Sequence, residues 1–341
     1  MSVFAPFRPD CWWEHKLSPI LATVYATAAL SQIPFPSLWP VVALALLALV
    51  VCASYVSILN DLTDAGDDEA SGKPNRWQGT PRIYPMLLLA ACVAAGGGFL
   101  IVWRNDPLLF VAYLLCWLAF TLYSMPPFRL KARGIWGVLA DASGAHLLPT
   151  LFAVVLAYHW NGIEGPAEWT ILISLWSFAA GVRGILRHQL GDHVNDTKIG
   201  LRTFAGLHGT TAAERLGLLA LLFESVAFAA MLWLTRNALA ALLLALYGLF
   251  AVIRWRLLGT GLTALKPSQA SRMAMSEYYI VLYPLAFLLT ASWHQPSALL
   301  LLLFHGVLFS RHGLYLVHEV VMMLRMRKSG TAPKGTVRPS P

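Results

Sequence analysis

A long apolar segment ends at Asn60-Asp61-Leu62-Thr63-Asp64-Ala65-Gly66-Asp67-Asp68, the most informative part of the sequence. Residues 39–59 carry no charged side chain, and four acidic residues then follow within eight positions. Asn60, Asp64 and Asp68 are spaced four apart, so a helix continuing through them places all three on one face. Carboxylates at this spacing repel one another unless a cation lies between them. The stretch therefore predicts a cation site at the end of an apolar helix.

A second acidic stretch, Asp192-His193-Val194-Asn195-Asp196, also follows an apolar segment directly. Its two acids are one helical turn apart. Two acidic helix ends at membrane depth predict a divalent-metal site for a phosphorylated ligand, because Mg²⁺ prefers carboxylate and phosphate oxygens. The candidate metal-binding residues are Asn60, Asp61, Asp64, Asp68, Asp192 and Asp196.

The composition excludes an ordinary soluble domain. Of the 341 residues, 57% are hydrophobic and only 12% are charged, whereas soluble domains carry about 25% charged residues. The net charge of +8 lies between apolar segments, which indicates membrane orientation and not nucleic-acid binding. The four cysteines have no C-x-x-C spacing and are interpreted as packing residues.

Ten apolar runs predict a polytopic helical membrane protein, with nine spans also possible because the last run is interrupted by Arg311. Basic residues concentrate after the even-numbered runs, so the positive-inside rule places both termini and the long polar loops in the cytoplasm. We expect a cytoplasmic segment (1–16), a transmembrane domain (17–324) and a basic, disordered tail (325–341). The runs cover about 17–33, 39–59, 84–103, 108–123, 135–158, 169–190, 211–234, 238–253, 278–293 and 297–324.

Basic residues beside the acidic motifs are candidate phosphate ligands, since Lys and Arg can neutralise phosphate charge. Lys73 and Arg76 follow the first motif, and Lys198 and Arg202 follow the second. Within Tyr123–Gly134, paired prolines predict a short extended turn, in which Arg129, Lys131 and Arg133 project to one side. We interpret Arg133 as ordinary positive-inside charge.

Three further polar residues lie within or at the end of the apolar run before the second motif. Arg183 and Arg187 need an anionic partner there, either a motif carboxylate or the ligand. His188 lies one turn before Asp192. It could orient an acceptor or help to remove its proton, or it could be a hydrogen-bonded structural histidine.

These motifs together resemble the UbiA superfamily of intramembrane prenyltransferases. The resemblance rests on Asn60-Asp61-x-x-Asp64-x-x-x-Asp68, on Tyr123-Ser124-x-Pro126-Pro127-x-Arg129-Leu130-Lys131, and on Asp192-x-x-x-Asp196 with Lys198, Gly200 and Thr203. It implies a helical bundle of nine to ten spans whose central cavity is capped by cytoplasmic loops. It also implies Mg²⁺-dependent transfer of a prenyl group from a polyprenyl diphosphate to an aromatic or other lipophilic acceptor.

Carried over by position, the resemblance implies that Asn60, Asp64 and Asp68 bind one Mg²⁺, with Asp61 in support, and that Asp192 and Asp196 bind a second. Arg76, Arg129, Lys131 and Lys198 would hold the diphosphate. Val194, Asn195 and Thr197 stand where many relatives have a further acid.

Three alternatives remain at this point. A terpene cyclase of the same superfamily would quench the allylic cation internally, and a phosphoribosyltransferase would act on a lipid phosphate. A cation-coupled transporter would use the acids without changing any diphosphate. We expect the protein in the cell (inner) membrane.

Overall fold

The computed structural model describes residues 7–265 and 271–329, and nearly all of this part is helical. Each of the ten apolar runs corresponds to helical structure. The α-helices are α1 (Pro9–Trp12), α2 (Ser18–Leu30), α3 (Leu38–Thr63), α4 (Ala65–Ser71), α5 (Ile83–Val102), α6 (Pro107–Ser124), α7 (Ile135–Ala142), α8 (Leu148–Asn161), α9 (Ala167–Lys198), α10 (Phe204–His208), α11 (Thr210–Thr235), α12 (Ala238–Leu258), α13 (Tyr283–His294), α14 (Leu299–Leu308) and α15 (Ser310–Ser329). Short 3₁₀ turns lie at Phe35–Ser37, Leu130–Ala132 and Pro296–Ala298.

Seven of these helical stretches are long and apolar enough to cross a membrane. The predicted tenth run is not one straight span: it breaks at Phe309, and its two halves are bent by 78°. The predicted boundary at residue 324 falls inside α15, and residues 330–341 lie outside the described residues. The candidate spans are Phe35–Thr63, Ile83–Val102, Pro107–Ser124, Ile135–Asn161, Ala167–Lys198, Thr210–Thr235 and Ala238–Leu258.

The outer surface of the bundle is apolar, as expected where lipid replaces water. On α5, Leu87, Ile101 and Val102 are all exposed. Trp233 and Trp293 are also exposed, each at or near the end of a helix, which is the depth that indole rings prefer in a bilayer. The protein is an integral membrane protein.

Three helical stretches contain π-helical turns, at Trp13–Leu17, Ser143–Leu147 and Tyr278–Leu282. A π turn inserts one extra residue into the helical ladder and re-aims the side chains around it. The first two of these segments contain Lys16 and His146, both of which are half-buried.

A small parallel sheet, β1 (Gly261–Thr263) with β2 (Ser271–Met273), departs from the predicted all-α architecture. It follows α12 and is tied to the helices by Arg183. The Arg183 guanidinium donates to the carbonyls of Ala264 at 3.2 Å and Ala274 at 3.0 Å, one beside each strand. The two strands are too short for periodicity to reveal them in the sequence.

The two ends of the chain meet at α15. The buried Glu14 carboxylate accepts hydrogen bonds from the backbone N–H groups of Arg311 at 2.8 Å and His312 at 2.9 Å. These are free N–H groups of the first helical turn, where a carboxylate is favourable. The fully buried Arg254 of α12 holds Glu319 of α15 at 3.1 Å.

Candidate metal and diphosphate site

The first acidic motif lies where α3 passes into α4. The helix is interrupted only at Asp64, and the four-residue hydrogen-bond pattern continues across the break. The Asp64 N–H donates to the Asn60 carbonyl at 2.9 Å, and the Asp68 N–H donates to the Asp64 carbonyl at 2.8 Å. The predicted register of Asn60, Asp64 and Asp68 therefore holds. The amide oxygen of Asn60 also accepts a hydrogen bond from Ser124 at the end of α6.

Asp61 is directed differently from its neighbours in the motif. Its side chain is 8% exposed and forms ion pairs with Arg8 at 3.1 Å and with Arg76 at 3.4 Å. Two guanidinium groups thus neutralise this carboxylate. Its position fits the supporting role that the resemblance implies. The ion pair with Asp61 also gives Arg76, a predicted phosphate ligand, a partner within the first motif.

Two residues that sequence reasoning missed complete the first motif. Asn75 donates to the Asp61 carbonyl and to the Asp68 carboxylate, both at 2.8 Å, so it folds the loop after α4 back onto the motif. Asp67 pairs with Arg129 at 2.5 Å. Asp67 stands inside the first motif, and Asn75 stands in the loop that follows it, between Lys73 and Arg76.

The loop after α6 is not extended, so the predicted alternation of its basic residues is wrong. Arg129 adopts a left-handed backbone conformation, and Leu130–Ala132 form a 3₁₀ turn. Arg129 and Lys131 nevertheless both reach the first motif: Lys131 contacts the Asp64 carboxylate, and Arg129 lies 3.6 Å from it. Arg133 turns away and donates to the Pro127 carbonyl at 2.7 Å.

The second acidic motif lies on the last turns of α9 and is joined to the first. Lys73, in the loop after α4, bonds the Asp192 carboxylate at 2.9 Å. Asp196 is buried and has Asp192, Lys73 and Lys131 among its electrostatic neighbours. Lys131 therefore lies between the two motifs. The structure thus brings the loop that follows the first acidic stretch into contact with the second.

Burial has a direct effect on the charge of Lys131. Its side chain is only 7% exposed. Removal from water lowers the pKa of Lys131 to about 8, and the nearby Asp196 carboxylate acts in the opposite direction. The ammonium group is therefore held in its charged form mainly by anionic partners, which a diphosphate would supply.

Arg183 has a partner that the sequence prediction did not include. Its guanidinium forms two hydrogen bonds, both of 2.6 Å, with the Glu224 carboxylate of α11, and both side chains are fully buried. The anionic partner is neither a motif carboxylate nor a ligand, so that prediction is wrong for Arg183. Arg187 is half-buried, and its Nη1 atom has no hydrogen-bond partner among the described residues.

Lys198 and Arg202 stand at the edge of the site. Both are exposed, and neither side chain bonds a motif carboxylate within residues 7–265 and 271–329. The Arg202 carbonyl accepts from Gly134 N–H at 3.0 Å, and Gly134 pairs with Thr203, so this loop and the Lys131 loop are joined. Gly134 has a φ of +57°, which favours glycine.

The donor set suits Mg²⁺, although the acids are not gathered around one point. Within the described residues, no group of three or more His, Cys, Asp or Glu side chains is close enough to hold a metal ion. Asp64 and Asp192 are instead paired with Lys131 and Lys73. Mg²⁺ needs only one or two carboxylates, because waters and phosphate oxygens complete its octahedron. Carboxylate and amide oxygens facing Lys and Arg are consistent with a metal–diphosphate site.

The site is thus a pair of neighbouring acidic motifs with Lys and Arg side chains between them, within a helical membrane bundle. The model of the UbiA prenyltransferase family matches residues 19–261. The chain belongs to this family.

The fold is also similar to solved structures of a UbiA homolog from Archaeoglobus fulgidus. The structure bound to DMAPP and Mg²⁺ has a TM-score of 0.58 at 18% identity, covering 86% of this chain and 99% of that one. The structure bound to GPP and Mg²⁺ has a TM-score of 0.57 at 18% identity, covering 85% of this chain and 99% of that one. A search of curated proteins gives no match.

Proposed function

We propose that this protein transfers a prenyl group from a polyprenyl diphosphate to an aromatic or other lipophilic acceptor, with Mg²⁺, and releases diphosphate. The observation that carries the proposal is the junction of the two acidic motifs through Lys73 and Asp192 at 2.9 Å. Family membership and the prenyl diphosphates and Mg²⁺ bound by the similar homolog support it. We further propose that both termini and this site face the cytoplasm and that the membrane is the cell (inner) membrane.

In this proposal the acids hold the metal and the cations hold the diphosphate. Asn60, Asp64 and Asp68 would serve one Mg²⁺, with Asp61 in support, and Asp192 and Asp196 would serve a second. Bound there, Mg²⁺ would supply positive charge to the leaving diphosphate. The predicted substrate-binding residues are Lys73, Arg76, Tyr123, Arg129, Lys131, Arg187, Lys198 and Arg202.

The chain's own cations carry much of the remaining work. Lys131 and Arg129 now neutralise Asp64 and Asp67, and Lys73 neutralises Asp192. When the donor binds, these cations exchange a carboxylate for a phosphate oxygen, which keeps the buried charges paired. The positive groups then stabilise charge that develops on the bridging oxygen as the allylic carbon–oxygen bond breaks.

Tyr123 lies beside the second acidic motif, where its ring can shield the allylic carbon from water. It is half-buried near the end of α6, with Asp192 and Asp196 among its electrostatic neighbours. Its ring is 6.1 Å from that of Phe120. Aromatic faces beside the site can stabilise an allylic cation without reacting with it.

The test is diphosphate release from geranyl diphosphate and farnesyl diphosphate by the purified protein, with and without candidate aromatic acceptors and with Mg²⁺ or EDTA, beside Asp64→Asn and Asp192→Asn. We expect release that depends on both Mg²⁺ and an acceptor and that falls at least about 10²-fold in both variants. Asp106→Asn is the matched control, since Asp106 begins α6 at its other end and caps Leu109 at 2.9 Å.

The products separate the remaining alternatives. Release without any acceptor, accompanied by a cyclic hydrocarbon, would identify a terpene cyclase. Consumption of a phosphoribosyl donor, with no consumption of any prenyl diphosphate, would identify a phosphoribosyltransferase. Cation flux that requires both acids, with every diphosphate left intact, would identify a transporter and refute prenyl transfer.

A further inference from the structure

The last helix of the described chain, α15, leaves the direction of the bundle. α14 packs on α13, and α15 is bent away from α14 by 78° at Phe309. α15 therefore runs across the bundle instead of along it. Because the helices of the bundle cross the membrane, a helix at this angle lies close to the membrane plane. Both α14 and α15 lie outside residues 19–261, the part that the family model matches.

The first turn of α15 lies on the side of the bundle that carries the acidic motifs. The carboxylate of Glu14 accepts from the N–H groups of this turn, and Trp13 Nε1 donates to the carbonyl of Leu308 at 2.7 Å. The same N-terminal segment reaches the first motif through the ion pair of Arg8 with Asp61 at 3.1 Å. The start of α15 is thus fixed near the level of the first acidic motif.

The middle of α15 is held on the same side. Glu319 lies 3.1 Å from Arg254 and 3.2 Å from Arg272 of β2. Arg254 belongs to the last turns of α12, the helix that returns to the side of the motifs after α11 has left it. Next to it, Trp255 is 60% exposed, as expected of an indole ring at a membrane interface. α15 thus follows this interface over a length of about 30 Å.

The outward side of α15 carries two neighbouring strips of exposed side chains. The members of the apolar strip are spaced three or four apart, which places them on one face of the helix. They are between 37% and 66% exposed, and they are Leu314, Val317, Val321 and Leu324. The members of the basic strip are spaced seven apart and are also exposed; they are Arg311, His318 and Arg325. Met323, on the opposite face, is buried against the protein.

An apolar strip beside a basic strip matches the boundary between hydrocarbon and headgroups. Helices divided in this way lie in the plane of the interface, with the apolar side among acyl chains and the basic side among headgroups. The apolar strip also follows directly on α14, where Leu303 and Val307 are exposed to lipid. A lipid surface therefore provides a suitable environment for both strips.

The charge of the basic strip favours anionic lipids. Arg325 is exposed, and no acidic side chain pairs with it in residues 7–265 and 271–329. Arg311 lies 3.0 Å from Asp10, but this acid is 86% exposed, and such a surface pair contributes little. An anionic leaflet attracts basic residues that lie close to its surface. The sequence after Glu319 contains no acid, and it adds the basic residues Arg327, Lys328, Lys334 and Arg338.

We propose that α15 is an interfacial helix that binds anionic lipid headgroups on the side of the acidic motifs. The apolar strip contacts acyl chains, and Arg311 and Arg325 contact phosphate oxygens of the headgroups. Glu14 and Arg254 hold the helix at that depth. The interaction needs neither a prenyl diphosphate nor an acceptor, so it is independent of the proposed reaction.

The test is amide hydrogen exchange of residues 310–325 in the full-length protein, followed by mass spectrometry. The protein is placed in nanodiscs of phosphatidylcholine alone, or of equal parts phosphatidylcholine and phosphatidylglycerol. At low salt we expect exchange in α15 to be at least about fivefold slower in the anionic nanodiscs. High salt should remove most of this difference, because it screens charges at the membrane surface.

Two double variants test the two strips separately. Arg311→Gln with Arg325→Gln should abolish the difference between the two kinds of nanodisc. The matched control is Arg104→Gln with Arg236→Gln, since both arginines are exposed at the other side of the bundle; it should leave the difference unchanged. Val317→Glu with Val321→Glu should speed exchange of α15 in both kinds of nanodisc, because carboxylates do not enter the acyl region. Thermal unfolding confirms that each variant is folded.

Three outcomes would overturn the proposal. The first is equal exchange of α15 in the two kinds of nanodisc at low salt, and the second is a lipid-dependent difference that persists in Arg311→Gln with Arg325→Gln. The third concerns a second copy of the chain: a wild type that is dimeric and a Val317→Glu with Val321→Glu variant that is monomeric would show that the apolar strip binds protein and not lipid.

Discussion

Replacing Glu224 by alanine should destabilise the protein strongly, because the change leaves Arg183 as a buried charge without its carboxylate. The two side chains are fully buried and share two hydrogen bonds of 2.6 Å. Arg183 also donates to the carbonyls beside the two strands. The pair therefore connects α9, α11 and the segment that carries the small sheet.

The magnitude follows from what the substitution leaves behind. Removing one partner of a buried ion pair costs about 3–5 kcal/mol. Arg183 would keep its two carbonyl acceptors, at 3.2 and 3.0 Å, and these compensate part of the loss. We therefore expect the free energy of unfolding to fall by about 3 kcal/mol, near the lower end of that range. The double variant Arg183→Met with Glu224→Leu removes both charges and should lose less than Glu224→Ala alone.

The assay is the free energy of unfolding in detergent, followed by circular dichroism during reversible denaturation. Glu214→Ala is the matched control, since Glu214 lies on the same helix and is only half-buried; its effect should stay within about 0.5 kcal/mol. A loss below about 1 kcal/mol for Glu224→Ala would mean that Arg183 does not depend on this carboxylate. So would a double variant that is less stable than the single one.

Three further changes test other parts of the structure. Burial lowers the pKa of Lys131 to about 8, so we expect the Kd of geranyl diphosphate with Mg²⁺ to rise as the pH passes about 8 and the ammonium loses its proton. Lys131→Arg should remove this pH dependence, and a variant with the same pH profile as wild type would contradict the assignment to Lys131. Glu14→Ala removes the acceptor of two N–H groups of α15, so it should lower the free energy of unfolding by about 1 kcal/mol and speed amide hydrogen exchange in that helix. No change in exchange would mean that the carboxylate does not anchor the helix. Gly181→Val would push a side chain against the Ala142 backbone and should cost about 1–3 kcal/mol in unfolding free energy; Gly248→Ala, which meets open space, is its control, and equal stabilities would argue against close packing of α7 on α9.

The helices could be predicted from the sequence because each apolar run is too long for any other secondary-structure element. The departures have local causes. The last run breaks at Phe309, where the sharp bend turns α15 toward Glu14 and Arg254, and apolar content alone carries no signal for a bend. The parallel strands Gly261–Thr263 and Ser271–Met273 are too short to show a period.

In the site, too, features set by residues close in the sequence were predictable, whereas contacts between distant residues were predicted in outline or not at all. The register of Asn60, Asp64 and Asp68 follows from helical geometry, so it was predictable. The Lys73–Asp192 contact was expected only in outline, since the two residues are 119 positions apart. The partner of Arg183 could not be found, because Glu224 stands in an apolar run with no motif around it.

The pairing of acids with cations in the site has a consequence for the order of events. A metal that reached Asp64 alone would compete with the ammonium of Lys131, and a diphosphate that reached Lys131 alone would strand the Asp64 carboxylate. Arriving together, each relieves the penalty that the other faces, so each should raise the affinity for the other by the same factor. The ion pairs of the unliganded site thus favour binding of metal and donor together over binding of either one alone. In the proposed reaction, this coupling would restrict carbon–oxygen cleavage to the complex that holds both metal and donor.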